Sequence, residues 1–283
     1  MELFPLNISN FKIDGGSMFG VVPKVLWQRV YPADEDNLCP WALRSLVIKH
    51  EGRVVLIDNG FGSKQDKKVL DHHHMFGGEG LEEGLAKLGI KAEDVTDMVL
   101  THLHFDHCGG GVKLTAEGKP VLTFPNATYY VSKSQWDWAI NPNIREADSF
   151  RAENLLPMKE SGKLKLVEGS GNLFPWLEVR IVDGHTRGQM IPMVSYKDTK
   201  LVFAADLFPC IAHIPLIWNM SYELDPLKTI QEKEAILKEA LQNNYVIFFQ
   251  HDFHNECCTL TQTPKGIRVE RTLSLNELIA EKA

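Results

Sequence analysis

Little in this sequence points to a secreted, membrane-spanning or nucleic-acid-binding protein. Only five of its 283 residues are cysteine (Cys39, Cys108, Cys210, Cys257 and Cys258). They are too few and too scattered for a disulfide scaffold, and an odd number fits a reducing compartment better than an oxidising one. No stretch approaches eighteen uncharged apolar residues, the length a spanning helix needs. The opening MELFPLNISNFKIDGGSMFG lacks both a basic start and a sustained apolar run, so it does not read as a signal peptide, and a cytoplasmic location is expected. A dense basic block is missing too: 30 Lys+Arg against 37 Asp+Glu leave 30 − 37 = −7 charges. Affinity for a phosphate backbone comes from clustered cations, so nucleic acid is not an expected partner. Repeats, low-complexity tracts and Gly/Ser/Pro-rich linkers are absent as well. With 44% hydrophobic residues, the chain can bury a sizeable core, and a single domain over 1–283 is expected. What the sequence does hold in quantity is histidine, eleven of them.

Periodicity places these histidines. Met18–Val30, Ala42–Lys49 and Arg53–Ile57 read as strands, the last two joined by a turn at Glu51-Gly52 and ended by Asp58-Asn59-Gly60. Lys64–Leu88 reads as helical, interrupted at His72-His73-His74 and Gly77-Gly78. Short strands are expected at Asp97–Leu100 and Thr128–Val131, with Ser132 capping the helix that carries Trp136 and Trp138. Residues 141–162, polar and broken by proline, read as a lid or insertion outside the core. Further strands are expected at Leu164–Glu168, Leu177–Val182, Met190–Tyr196, Leu201–Ala204 and Tyr245–Phe249. Asp225-Pro226 signals the start of a helix over Leu227–Leu241, and a strand (Ile267–Arg271) and helix (Ser274–Glu281) close the chain. Blocks of strands with helices between and after them imply an α/β protein with two packed sheets and helices outside, a four-layer αββα sandwich.

Thr101-His102-Leu103-His104-Phe105-Asp106-His107 follows an apolar strand and precedes three glycines. In extended chain, residues two apart project to one side, so His102 and His104 can reach one metal together. After the turn, Asp106 and His107 can face a second. Imidazole and carboxylate suit a borderline cation such as Zn²⁺, with Mn²⁺, Fe²⁺ and Co²⁺ open. Three more ligand-type residues follow buried strands: His185 after EVRIV, Asp206 after LVFAA and His251 after YVIFFQ. Rigid elements could deliver all of them to a shared cleft. His254 is a competitor for His251, which is preferred because it directly follows the strand. The triple His72-His73-His74 has no strand behind it and reads as a solvated helix end.

The succession HxHxDH, then GHT, then an Asp and a His after strands resembles the metallo-β-lactamase superfamily, over roughly Met18 to His254. The resemblance implies an αββα fold with two divalent cations, most simply Zn²⁺. By position, His102, His104 and His185 would hold one, Asp106, His107 and His251 the other, and Asp206 would bridge them. Within the superfamily the chain is most similar to acyl-homoserine-lactone lactonases and methyl-parathion-hydrolase-like enzymes, through Asp14–Gly20 and Val22–Trp27. That implies a hydrolase opening a lactone ring (quorum quenching) with a metal-bound hydroxide, Asp106 orienting the nucleophile or returning a proton. Organophosphate or aryl-ester hydrolysis and a glyoxalase II-like thioesterase are the alternative activities. A metal-binding regulatory protein is the non-enzymatic one. Met18, Phe19 and Trp218, with Trp136 and Trp138, are candidates for an apolar substrate wall. His213 either faces the substrate or is a hydrogen-bonded structural histidine. Two departures stand out: Gln189 replaces a second His after GHT, and Pro209 stands where several lactonases place a carbonyl-contacting Tyr. The expected partner is a small molecule, with a possible homodimer.

Overall fold

Apolar, β-branched runs become the inner strands of two large mixed sheets in the computed structural model, which describes residues 1–282. The chain divides into two compact units. One comprises Met1–Ser9, Leu43–Ser170 and Gly188–Met190, and the other the rest of the described chain.

The first unit is built on a six-stranded sheet ordered Glu2–Asp14, Leu38–His50, Arg53–Ile57, Asp97–Val99, Thr128–Ser132, Leu164–Val167. The strands from Arg53–Ile57 onward run parallel. A parallel strand covered on both faces reads as a continuous apolar run, and Val55, Leu56, Ile57, Met98 and Val99 are all fully buried. Its core gathers Leu56, Met98, Leu103, Tyr129, Val131 and Trp136.

The second unit carries a seven-stranded sheet ordered Gly266–Leu273, Cys257–Thr263, Val246–Phe248, Thr199–Phe203, Gln189–Tyr196, Leu177–Val182, Gly171–Phe174. A parallel pair, Thr199–Phe203 with Val246–Phe248, sits at the centre. The helix Pro226–Gln242 packs on Cys257–Thr263 and presents Ile236, Leu237 and Ala240 inward. It starts where expected: Asp225 accepts the Lys228 N–H at 3.0 Å and Pro226 occupies the first turn.

Several local expectations need correction. Met18–Val30 is not a strand. Asp14 caps a helical turn (Gly15–Phe19) through the Ser17 N–H, and Pro23 opens a second (Lys24–Trp27), so Phe19 and Trp27 point inward while Val21 and Val25 remain exposed. The first strand lies earlier, at Glu2–Asp14, where Leu6, Ile8 and Asn10 alternate as its buried face despite Pro5 and the polar residues between. Within 141–162, Ala152–Glu160 is a helix whose Leu155 and Met158 enter the first unit's core. The strands Val112–Leu114, Pro120–Leu122 and Cys257–Thr263 had no counterpart in the periodicity. All five cysteines are free and buried. No helix among the described residues is long and apolar enough to cross a membrane.

Candidate metal centre

Four of the strands end in the same way. His102 lies three residues beyond Val99, His185 three beyond Val182, Asp206 three beyond Phe203 and His251 three beyond Phe248. A buried strand fixes its own last residue, so a ligand three positions later is held on a short, well-anchored arm.

In the first unit the anchor is Asp58, fully buried in the turn after Arg53–Ile57 with φ +55°. Its carboxylate accepts the Thr101 N–H (2.7 Å), the Thr101 hydroxyl (2.7 Å) and the His107 Nδ1–H (2.9 Å). Having donated to Asp58, the Thr101 oxygen can accept the Nδ1–H of His102 at 3.1 Å. This leaves His102 Nε2 3.0 Å from His104 Nδ1, with the His102 and His107 rings 3.8 Å apart. His107 Nε2 lies 3.6 Å from Asp106 Oδ2. His104 turns its Nε2 toward Glu146 Oε1, 3.5 Å away.

In the second unit Asp206 stands between two imidazoles, its Oδ2 3.2 Å from His185 Nε2 and its Oδ1 3.0 Å from His251 Nε2. It follows Ala205, held at φ +43°, a conformation an L side chain adopts only at a cost. His251 Nδ1 donates to the Ala42 carbonyl at 2.8 Å. His185 Nδ1 faces Glu223 Oε2 at 3.5 Å, and the Thr229 hydroxyl donates to that same oxygen. Burial opposes a charge on His185, but the Asp206 and Glu223 carboxylates outweigh it and raise the ring to about 10. A pocket that favours positive charge this strongly suits a cation.

This donor set fits divalent metal. Each of the five imidazoles turns one ring nitrogen to an oxygen of its own unit, and its other nitrogen to further ligand-type side chains. Such outer oxygens fix the tautomer and orientation of ligating histidines. Two nitrogens about 2.0–2.1 Å from one tetrahedral ion stand roughly 3.3 Å apart, close to the 3.0 Å between His102 Nε2 and His104 Nδ1. His and Asp groups in both units could thus hold metal ions.

The candidate substrate residues Met18, Phe19, His213 and Trp218 form one cluster in the second unit. Phe19 stacks on His213 (5.1 Å, 9°) and meets Trp218 edge-on (6.2 Å, 82°). His213 donates Nε2–H to the Met18 carbonyl at 2.7 Å, and its Nδ1 lies 3.1 Å from Cys210 Sγ. Burial, with Lys233 adding to it, lowers His213 to about 3. Met18, Phe19 and His213 are buried, and Trp218 is the partly exposed member. Of the histidine triple, His72 and His74 are exposed, but His73 packs against Phe61 (5.0 Å) and Phe105 (5.3 Å). His254 is exposed, and its backbone N–H is held by Asp252.

Sequence reasoning missed Asp58, Glu146 and Glu223. Asp58 carried a signal, an acidic residue directly after a buried strand like Asp206, but it read as turn chemistry. The two glutamates sit in polar loops and carried none.

Compared with known proteins, residues 43–251 match the metallo-beta-lactamase superfamily model. An N-acyl homoserine lactonase of Bacillus cereus is 23% identical over 180 residues, taking in 61% of this chain and 62% of the relative. The chain therefore matches under two thirds of that lactonase's length. A probable metal-dependent hydrolase from Staphylococcus aureus superposes with a TM-score of 0.88 at 29% identity, covering 96% of each chain. AidC, a dizinc quorum-quenching lactonase in complex with a product, superposes with a TM-score of 0.79 at 23% identity, covering 97% of this chain and 95% of that one. The α/β architecture with several sheets matches these neighbours.

Proposed function

This chain belongs to the metallo-beta-lactamase superfamily, and on that premise we propose that it is a dinuclear-metal hydrolase that opens a lactone ring, an N-acyl-homoserine lactone being the best single substrate. The observation that carries this reading is Asp206, whose two oxygens each face a different buried histidine, as a carboxylate bridging two cations requires. In this reading His102, His104 and His185 would hold one ion and Asp106, His107 and His251 the other, with Asp206 shared between them. Zinc is the proposed metal, on the strength of the imidazole and carboxylate donors.

When bound, two divalent ions supply Lewis acidity at a carbonyl oxygen and make water nucleophilic near neutral pH. The protein's own side chains do the rest. Asp206 and Asp106 balance the positive charge. Asp106, part-exposed beside buried His107, would accept the nucleophile's proton and return it to the leaving alkoxide. Trp218, the partly exposed member of the cluster, would offer aromatic surface to an acyl chain, with buried Phe19 packed edge-on behind it. His213, with its ring nitrogens on Met18 O and Cys210 Sγ, holds Phe19 in place by stacking and does not supply the carbonyl contact that Pro209 lacks.

A pH-indicator assay over lactones of graded acyl length, run beside phosphotriester, aryl-ester and thioester substrates, tests this function. Chelated protein is expected to lose activity and regain it with Zn²⁺, Mn²⁺ or Co²⁺, and to prefer long-chain lactones. Full activity in metal-free protein would end the metal reading. Equal weak rates on every class would end the lactonase reading and leave a hydrolase of another substrate.

A further inference from the structure

Glu146 lies in the polar stretch 141–162, yet it is 4% exposed. A buried carboxylate must be compensated by donors and positive charge. Its Oε2 accepts the Trp138 Nε1–H at 2.8 Å and an Asn143 Nδ2–H at 2.6 Å. Its Oε1 is aimed at His104 Nε2, 3.5 Å away. The chain around it is tied to the same histidine. Phe105 donates its N–H to the Ser149 carbonyl at 3.0 Å, and the Phe150 ring lies 4.9 Å from the His104 ring. Arg151 spreads over Phe105 at 4.5 Å.

A neutral imidazole can carry its proton on either nitrogen, and only the other one can ligate. His104 Nδ1 is the nitrogen beside His102 Nε2, so ligation there needs the proton on Nε2. We propose that Glu146 is a positioning residue for the metal centre: its Oε1 takes the Nε2–H of His104 and holds the ring with Nδ1 as ligand. The inference rests on the dinuclear-metal reading above. It also gives the 141–150 stretch a role, since its fixed Glu146 buttresses one ligand of the site.

Glu146→Gln separates charge and acceptor from shape. The amide oxygen stays with its two donors, Trp138 and Asn143, which turns the amide NH₂ toward His104. A donor there favours the opposite tautomer, with the proton on Nδ1. Chelator competition on the purified full chain should then show one of two Zn²⁺ equivalents weakened about 10–100-fold, the range for lost outer partners, and the other changed less than threefold. Imidazole ¹⁵N–¹H spectra of the Zn²⁺-loaded protein should show His104 protonated on Nε2 and ligating through Nδ1 in the wild type, a signature that E146Q loses as its weakened equivalent is released. Trp138→Phe, which keeps the carboxylate, should retain the wild-type tautomer and bind metal nearly normally. If it weakens binding as much as E146Q does, the effect is one of packing and the assignment falls. Two equally tight equivalents in E146Q would overturn the Glu146 role alone, whereas a wild type that binds no metal would overturn the metal reading with it. Should E146Q fail to fold, the wild-type spectrum decides, because an Nδ1-protonated His104 overturns the assignment.

Discussion

At the scale of single residues, the candidate ligands were legible because several His and Asp side chains directly following buried strands are an uncommon pattern, and the structure groups them as residues that could hold metal. The residues that orient them were not. Asp58 is 43 positions from Thr101 and 49 from His107, and only the parallel pairing of Arg53–Ile57 with Asp97–Val99 brings it to both. Periodicity carries no information about that pairing. His213 illustrates the same limit. Its alternatives, substrate contact or structural histidine, could be separated only by seeing Met18 and Cys210 at its ring nitrogens. The fold keeps this ring neutral, with burial lowering it from 6.5 to about 3. Between those values the unfolded chain binds the extra proton and the native one does not, so stability is present above pH 6.5 and lost as pH falls toward 3. The slope reaches at most about 1.4 kcal/mol per pH unit. In metal-free protein, His213→Gln should flatten the acid limb of urea-unfolding stability between pH 6.5 and 4. An unchanged limb would mean that other groups set it.

At the scale of elements, the sequence spoke clearly where burial was complete and poorly where it was one-sided. Thr199–Phe203, Val246–Phe248 and the helix Pro226–Gln242 fall close to their expected places. The edge strand Glu2–Asp14 was masked by Pro5 and polar residues, and Met18–Val30 was misread because its apolar residues serve two helical turns. The glycines after HxHxDH show what an element-level contact demands. A Cβ on Gly110 would lie 2.1 Å from the Asn59 carbonyl oxygen, and the two segments are joined by Asn59 N–H to His107 O (2.9 Å) and Gly110 N–H to Gly60 O (3.0 Å). Gly110→Ala should therefore push the motif helix Phe105–Cys108 away from the turn that carries Asp58. Overpacking of this kind costs typically 1–3 kcal/mol. The expected result is a loss in that range by urea unfolding of metal-free protein, together with weaker metal binding by chelator competition. Wild-type metal affinity in G110A would show that the turn follows the helix as one body.

At the scale of the whole molecule, the acidity that first argued only against nucleic acid bears on the proposed centre. Two M²⁺ ions would take the formal charge from −7 to −7 + 4 = −3. Ions bound by the folded chain and not by the unfolded one stabilise it by mass action, by about 2.7 kcal/mol per site at a hundredfold excess over Kd. For two sites that is roughly 5 kcal/mol. At about 2 °C per kcal/mol for a chain of this size, the melting temperature should rise by about 10 °C between chelated and metal-replete protein. The rise should continue with the logarithm of free Zn²⁺ rather than saturate. Native mass spectrometry should show two ions per chain over the same range. His104→Ala, which removes one ligand and leaves Asp106, His107 and His251 intact, should lower the stoichiometry toward one and halve the thermal shift. A melting temperature indifferent to chelator would mean that the histidine-rich strand ends are held by their oxygen partners alone, and the dinuclear reading would have to be abandoned.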